Sequence, residues 1–149
     1  MKKMKSLMTA FALGGLLLIS STGFSQEKVD VISGKSFSKT VDALNKAIKS
    51  KGMMIVATIN HQNMLKMTGL SIKGATTIEF GKPDMGKMVF ANHPEAGLEM
   101  PARIYVYDRA DGKTVISYYK SNFAKYDKSF EMIDKMMEMA FTEITNAAK

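Results

Sequence analysis

Apolar and polar residues alternate between Gly97 and Tyr107, and this period of two predicts a β-strand at the centre of the fold. One side of the strand is small and aliphatic, and the other side carries an arginine and two tyrosines. The first set is Ala102, Ile104 and Val106, and the second set is Arg103, Tyr105 and Tyr107. Pro101 has no N–H to donate to a neighbouring strand, so the strand is predicted to begin there. We expect helices to cover the aliphatic side and to leave the aromatic side half exposed.

The rest of the predicted sheet follows from turns and short apolar runs. Asp111-Gly112 is a turn signal, so the segment Thr114–Tyr119 is predicted to form a hairpin with the central strand. Met53–Ile59 is apolar except for one threonine, which is typical of a buried strand. Further strands are predicted at Glu27–Ser33, Ala75–Phe80 and Lys87–Phe90.

Two longer segments have the 3.6-residue period of amphipathic helices. The first is capped by Ser36 or Ser38 and ends at Lys51, before Gly52, a residue type that commonly follows a helix. The second runs from about Ser129 to Ala147. Their apolar faces comprise Phe37, Val41, Leu44 and Ile48 in the first helix and Ile133, Met137, Ala140, Phe141 and Ile144 in the second. The order of elements predicts an α+β fold, a two-layer sandwich with both helices on one face of an antiparallel sheet.

The N-terminal 25 residues have the pattern of a signal peptide. Three lysines precede an apolar run over Leu7–Ile19, and Gly23 and Ser25 are small residues suited to cleavage after Ser25. We therefore expect residues 1–25 to be removed, leaving residues 26–149 as a single domain that is periplasmic or secreted. An uncleaved N-terminal anchor is the alternative.

Charge and cysteine content exclude several classes of function. Three of the 21 basic residues lie in the predicted signal peptide, so the mature chain is less basic than the full-length charge of +7 indicates. This ordinary balance, together with export, argues against nucleic acid as a partner. We expect no membrane association after cleavage. The chain has no cysteine, so thiol catalysis and thiolate metal sites are excluded. The sequence leaves any cofactor unknown.

Three short motifs, in this order, resemble those of a known family. Ile59-Asn60-His61 is similar to its hydrophobic-acid-His element, and Phe80-Gly81-Lys82-Pro83 is similar to its Phe-Gly-Asn-Pro turn. The segment Gly97–Tyr107 resembles its Leu-Pro strand entry. The family is the domain-of-unknown-function 302 family, and the resemblance extends from about residue 27 to residue 147. It implies an α+β domain of β-α-β4-α type, often paired as a dimer, with no established activity.

Histidines offer the first candidate chemistry. His61 follows a predicted strand, where an imidazole could act as a base or ligand, or bond a loop carbonyl as a structural residue. Asn60 stands where the family usually has an acid, so no acid adjoins His61. His93, with Glu95 and Glu99, could join His61 in a metal site, although the spacing matches no metal motif. A hydrolase or metal-dependent enzyme centred on His61 is therefore one hypothesis.

The aromatic side of the central strand offers a second candidate. Arg103, Tyr105 and Tyr107 share that face, and Thr77 and Glu79 are predicted to join them from a neighbouring strand. Such a surface could bind an anionic or aromatic small molecule, or form a homodimer interface. A non-catalytic exported domain that binds a ligand or partner through this face is the main hypothesis from the sequence.

Methionines in the last predicted helix are the third candidate. Met132, Met136 and Met139 recur at i, i+4 and i+7, beside the core residue Met137. Thioethers are soft ligands that suit Cu(I), but methionine is also a common residue of cores and adaptable interfaces. Copper binding is therefore a weaker alternative.

Overall fold

The computed structural model describes residues 26–149, and the predicted signal peptide lies outside the described residues. The strands are β1 Lys28–Ile32, β2 Met54–Asn60, β3 Ala75–Gly81, β4 Ala102–Asp108 and β5 Thr114–Tyr119. The α-helices are α1 Phe37–Ser50, α2 His61–Lys66, α3 Pro83–Phe90 and α4 Glu131–Asn146. Short 3₁₀ helices occupy Pro94–Glu99, Phe123–Lys125 and Lys128–Phe130.

The five strands form one antiparallel sheet in the order β1-β5-β4-β3-β2. Strand β4 is central, as its alternating sequence predicts. Its Tyr105 lies opposite Ser117 of β5 on one side and Thr77 of β3 on the other. Because a strand's side chains alternate between faces, this register fixes which residues share each face. The predicted α+β class is confirmed.

The hydrophobic core lies between the sheet and the long helices. Ile104 and Val106 of β4 are fully buried in it, together with Leu44 of α1 and Ile144 of α4. Tyr105, between the two β4 core residues, is exposed on the other side of the sheet. The predicted division of β4 into an aliphatic inner side and an aromatic outer side is therefore confirmed.

The predicted strand at Lys87–Phe90 is wrong, because these residues belong to helix α3. Pro83 occupies the first turn of this helix, where its missing N–H costs nothing. Met85 and Val89 are buried at the i, i+4 spacing of a helix, whereas Phe90 is exposed. In a strand, neighbouring apolar residues would point to opposite faces, and both faces would have to be covered. Only one side of this segment packs against the core.

Strand β2 is also different from its prediction, since it is an edge strand and not a buried one. It pairs with β3 alone, and Val56 is 63% exposed at an irregularity in the ladder. Its exposure alternates along its length although its sequence is almost continuously apolar. Near the start of the strand, Met54 and Val56 line the cleft described below.

The helix ends agree with the sequence within two residues. Gly52 has a φ of +68°, the left-handed conformation expected just after α1. Helix α4 begins at Glu131, two residues later than predicted, because a 3₁₀ turn occupies Lys128–Phe130. None of the helices within residues 26–149 combines the length and the apolar character that crossing a membrane requires.

Candidate functional site

The side of the sheet that faces away from α1 and α4 is the open face. Its middle row runs across all five strands and is given by the strand register. From β1 to β2 the row consists of Asp30, Ser117, Tyr105, Thr77 and Ile59. The predicted surface residues Arg103, Tyr107 and Glu79 lie on the same face, with Arg103 directly opposite Glu79. The open face therefore brings together the whole set that the sequence predicted there.

His61 adds an aromatic ring that joins two tyrosines on the open face. Its Nε2 lies 2.8 Å from Oγ1 of Thr77 in a hydrogen bond. Its ring meets Tyr105 edge-to-face with centroids 5.6 Å apart, and Tyr105 stacks on Tyr107 at 5.1 Å. We call His61, Thr77, Tyr105 and Tyr107 the aromatic cluster. Partial burial raises the pKa of Tyr105, with a smaller contribution from Tyr107, so its hydroxyl is neutral at physiological pH.

The position of His61 comes from the cap of α2. Asn60 ends β2, and its side-chain oxygen accepts a hydrogen bond from the backbone N–H of Asn63 at 2.9 Å. Gln62 donates to the carbonyl of Ile72 at 3.0 Å and ties the helix to the following loop. Asn60 therefore caps a helix and does not orient the imidazole. Among the described residues, the side-chain hydrogen bond of His61 goes to Thr77.

Charged and polar pairs flank the aromatic cluster. Lys28 and Asp30 of β1 form an ion pair at 2.9 Å, and the hydroxyl of Ser117 donates to Asp30. The hydrogen bond from Ser117 makes the largest contribution to lowering the pKa of Asp30, and the contact with Lys28 lowers it further. On the other side, Arg103 and Glu79 lie opposite each other in the ladder. The open face thus has an aromatic centre and a polar margin.

His93 lies apart from His61 and has other partners. Its Nδ1 is 3.0 Å from Glu95, and its Nε2 is 3.4 Å from Asp127, just before the 3₁₀ turn that leads into α4. Glu99 instead contacts Gln26 and Lys125. Within residues 26–149, no three histidine, aspartate or glutamate side chains come together as a metal-binding group. The predicted set of His61, His93 and a carboxylate is therefore not assembled.

The two carboxylates around His93 predict a pH-dependent stability. Glu95, and to a lesser extent Asp127, raise the pKa of His93 above its usual 6.5. The contacts of protonated His93 with these carboxylates thus stabilise the fold fully below pH 6.5. This stabilisation is lost as the pH rises through the higher pKa that His93 has in the folded state. We expect the melting temperature of the natural chain to fall more between pH 6 and pH 8.5 than that of His93→Gln. Equal falls in thermal scans would contradict this assignment.

The three candidate methionines of α4 are exposed and are not part of the core. Met132, Met136 and Met139 are 70%, 43% and 59% exposed, whereas Met137 is buried. Their spacing places them along one side of the helix. Packing in the core therefore does not explain why methionine occupies these three positions.

A large apolar cleft, which the sequence did not predict, lies at one end of the sheet. Its volume is about 460 Å³. It opens where β2 and β4 begin and β3 and β5 end, and helix α3 forms one of its walls. Its inner surface includes Phe80, Met137 and Phe141 of the core. The one feature of the sequence that could have indicated this cleft is the high number of methionines, which is 14.

Two curated relatives, the fluoride-specific ion channels FluC 1 of Brucella suis and Brucella abortus, are each 28% identical to this chain over 85 residues. The match covers 57% of this chain but only 34% and 32% of those relatives, so the chain spans about a third of their length.

A solved structure and a family model cover much more of the chain. The crystal structure of an uncharacterized conserved DUF302 protein from Bacillus stearothermophilus has a TM-score of 0.73 at 17% identity. The similarity covers 82% of this chain and 98% of that one, and it establishes a shared fold. A model of the domain of unknown function DUF302 matches residues 29–148, from the first strand to the end of the last helix. The chain therefore belongs to the DUF302 family.

Proposed function

We propose that the protein is an exported, non-catalytic binding domain that pairs with a second copy through its open face. The aromatic cluster carries this proposal. An imidazole and two stacked phenol rings lie in contact on the side of the sheet that no long helix covers. Rings held in this way are already ordered, so covering them costs little conformational entropy.

The distribution of residue types on this face supports an interface with a second copy. Tyrosine and arginine are enriched in protein interfaces, where an aromatic centre is commonly surrounded by polar groups that exclude water. The open face has Tyr105 at its centre and the Lys28–Asp30 pair at its margin. In a two-fold pair each surface meets its own copy, so the stacked Tyr105 and Tyr107 of one protomer can contact those of the other.

The pairing is tested by placing a charge at the centre of the face. Tyr105→Arg would bring two like charges together near the two-fold axis, so we expect this variant to be monomeric at concentrations where the natural chain is dimeric. Light scattering after gel filtration, or native mass spectrometry, measures the mass. The matched control is Met132→Arg, which adds the same charge at an exposed position of α4. A natural chain that is monomeric at about 100 μM would overturn the proposed pairing.

Export is proposed on the basis of the N-terminal sequence. A basic start, an apolar run over Leu7–Ile19 and a small-residue cleavage pattern support it. The absence of cysteine from the whole sequence is compatible with an oxidising compartment, since no thiol is present to mispair.

Catalysis at His61 is the alternative from the sequence, and its support is limited to one contact. The hydrogen bond between His61 and Thr77 resembles a base beside a hydroxyl. Within the described residues, however, no carboxylate hydrogen-bonds to His61 to orient it. Copper binding by α4 is weaker still, because it would depend on three thioethers and no histidine lies in that helix.

A further inference from the structure

The apolar cleft at the end of the sheet has the size of a binding site for a small molecule. Its volume of about 460 Å³ falls within the range of about 300 to 1,000 Å³ that is usual for ligand pockets. The floor consists of core side chains, including Phe80 and Phe141, whose rings pack edge-to-face at 5.7 Å. The floor is therefore apolar, and it is distinct from the aromatic cluster on the open face.

Methionine is the most frequent residue in the lining of the cleft. Five of the 14 methionines of the chain contribute to it. These lining methionines are Met53, Met54, Met85, Met100 and Met137. Methionine side chains are unbranched and flexible, so they can adapt to an apolar occupant of variable shape such as an alkyl chain.

The charges at the mouth of the cleft favour a ligand with an anionic end. Lys82 and Arg103 are exposed there, and neither forms an ion pair with another described residue. Lys120 is already engaged by Glu27 at 2.9 Å. The carboxylate in the lining, Glu99, is paired with Lys125 and accepts a hydrogen bond from Gln26 at 2.6 Å. The two cations are therefore free to receive a carboxylate.

We propose that this cleft binds a single-chain fatty acid, with its alkyl chain among the lining methionines and its carboxylate at Lys82 and Arg103. Volume, flexible apolar walls and unpaired cations at the mouth together support this chemical class. The cleft shares Arg103 with the open face but does not include Tyr105 or Tyr107. The two proposals are therefore tested by different variants, Lys82→Gln for the cleft and Tyr105→Arg for the pairing.

Methyl NMR of the protein labelled at methionine with ¹³C tests the location. Titration with decanoate is expected to shift the lining methionines saturably and to leave the exposed Met132, Met136 and Met139 unchanged. Each added CH₂ should tighten binding about fourfold until the cleft is full. Decanol should bind more weakly than decanoate, and decyltrimethylammonium more weakly still. Equal binding of all three head groups, or no shift of the lining methionines, would overturn the proposal.

A glycine in the cleft wall provides a variant that blocks the site without harming the fold. A Cβ at Gly86 of α3 would meet only the ring of Phe90, at 4.0 Å. Gly86→Leu should therefore fold at least as stably as the natural chain, because glycine is unfavourable in a helix. The side chain of the new leucine should occupy the cleft. We expect it to bind decanoate at least tenfold more weakly, and the control Gly86→Ala to bind within about threefold of the natural chain. Unchanged binding by a folded Gly86→Leu would overturn the proposed location.

A charge variant tests the anionic end separately. Lys82→Gln is expected to weaken decanoate binding about three- to fivefold and to leave decanol binding unchanged, since the ion pair lies at an exposed mouth. Lys113→Gln, an exposed lysine outside the cleft, is the matched control. Equal effects of the two substitutions on decanoate would contradict recognition of the carboxylate at Lys82.

Discussion

Replacement of Ile104 by alanine is expected to lower the free energy of unfolding by about 2–5 kcal/mol. The side chain lies on the central strand and is completely buried between the sheet and the helices. Its removal both loses apolar burial and leaves a cavity that the neighbouring strands and helices cannot easily fill. Urea unfolding followed by circular dichroism measures the change.

Arg103→Ala is the matched control for this prediction. Arg103 is the next residue along β4 but lies exposed on the open face, so its replacement should change stability by less than about 0.5 kcal/mol at a protein concentration where the chain is monomeric. A similar loss in both variants would mean that the two faces of β4 are not distinguished as described.

Replacement of Asp134 by alanine is expected to cost about 2–3 kcal/mol of stability. Its carboxylate, on α4, accepts hydrogen bonds from the backbone N–H groups of Phe123 and Ala124, at 2.8 and 2.9 Å. These bonds hold the 3₁₀ turn after β5 against the helix, and Phe123 is buried. Alanine would leave two amide groups without an acceptor, and hydrogen bonds to charged groups contribute more than neutral ones.

Two companion variants separate the effect of these bonds from effects on the helix. Asp134→Asn keeps one side-chain oxygen as an acceptor and should lose roughly half as much stability. Lys135→Ala changes the next, exposed residue of α4 and should stay within about 0.5 kcal/mol of the natural chain. The same denaturant midpoint for Asp134→Ala and Lys135→Ala would contradict the assigned role of Asp134.

The open face was predictable because a strand's alternation is a local property. Once β4 is recognised, Arg103, Tyr105 and Tyr107 must share one side, whatever the neighbouring strands are. Thr77 and Glu79 followed from the same period in β3. Pairing of the two strands then brought these residues together, since each faces away from a buried isoleucine or phenylalanine.

Short apolar runs were less reliable, since their length does not distinguish a strand from two helical turns. The residues Lys87–Phe90 are such a run, and Pro83, which the family motif places in a turn, begins helix α3. The position of β2 at the edge of the sheet was also not determined locally. It depends on the strand order, which is set by contacts between distant parts of the chain.

The sequence by itself determined the alternation of β4, the two amphipathic helices and the family, because each depends on residue types at fixed spacing along the chain. Only the tertiary structure decided that His61 meets Tyr105, that His93 meets Asp127 instead of His61, and that five methionines surround one cleft. These contacts join residues that are far apart in sequence. Their geometry depends on how the sheet and helices pack, which no local pattern specifies.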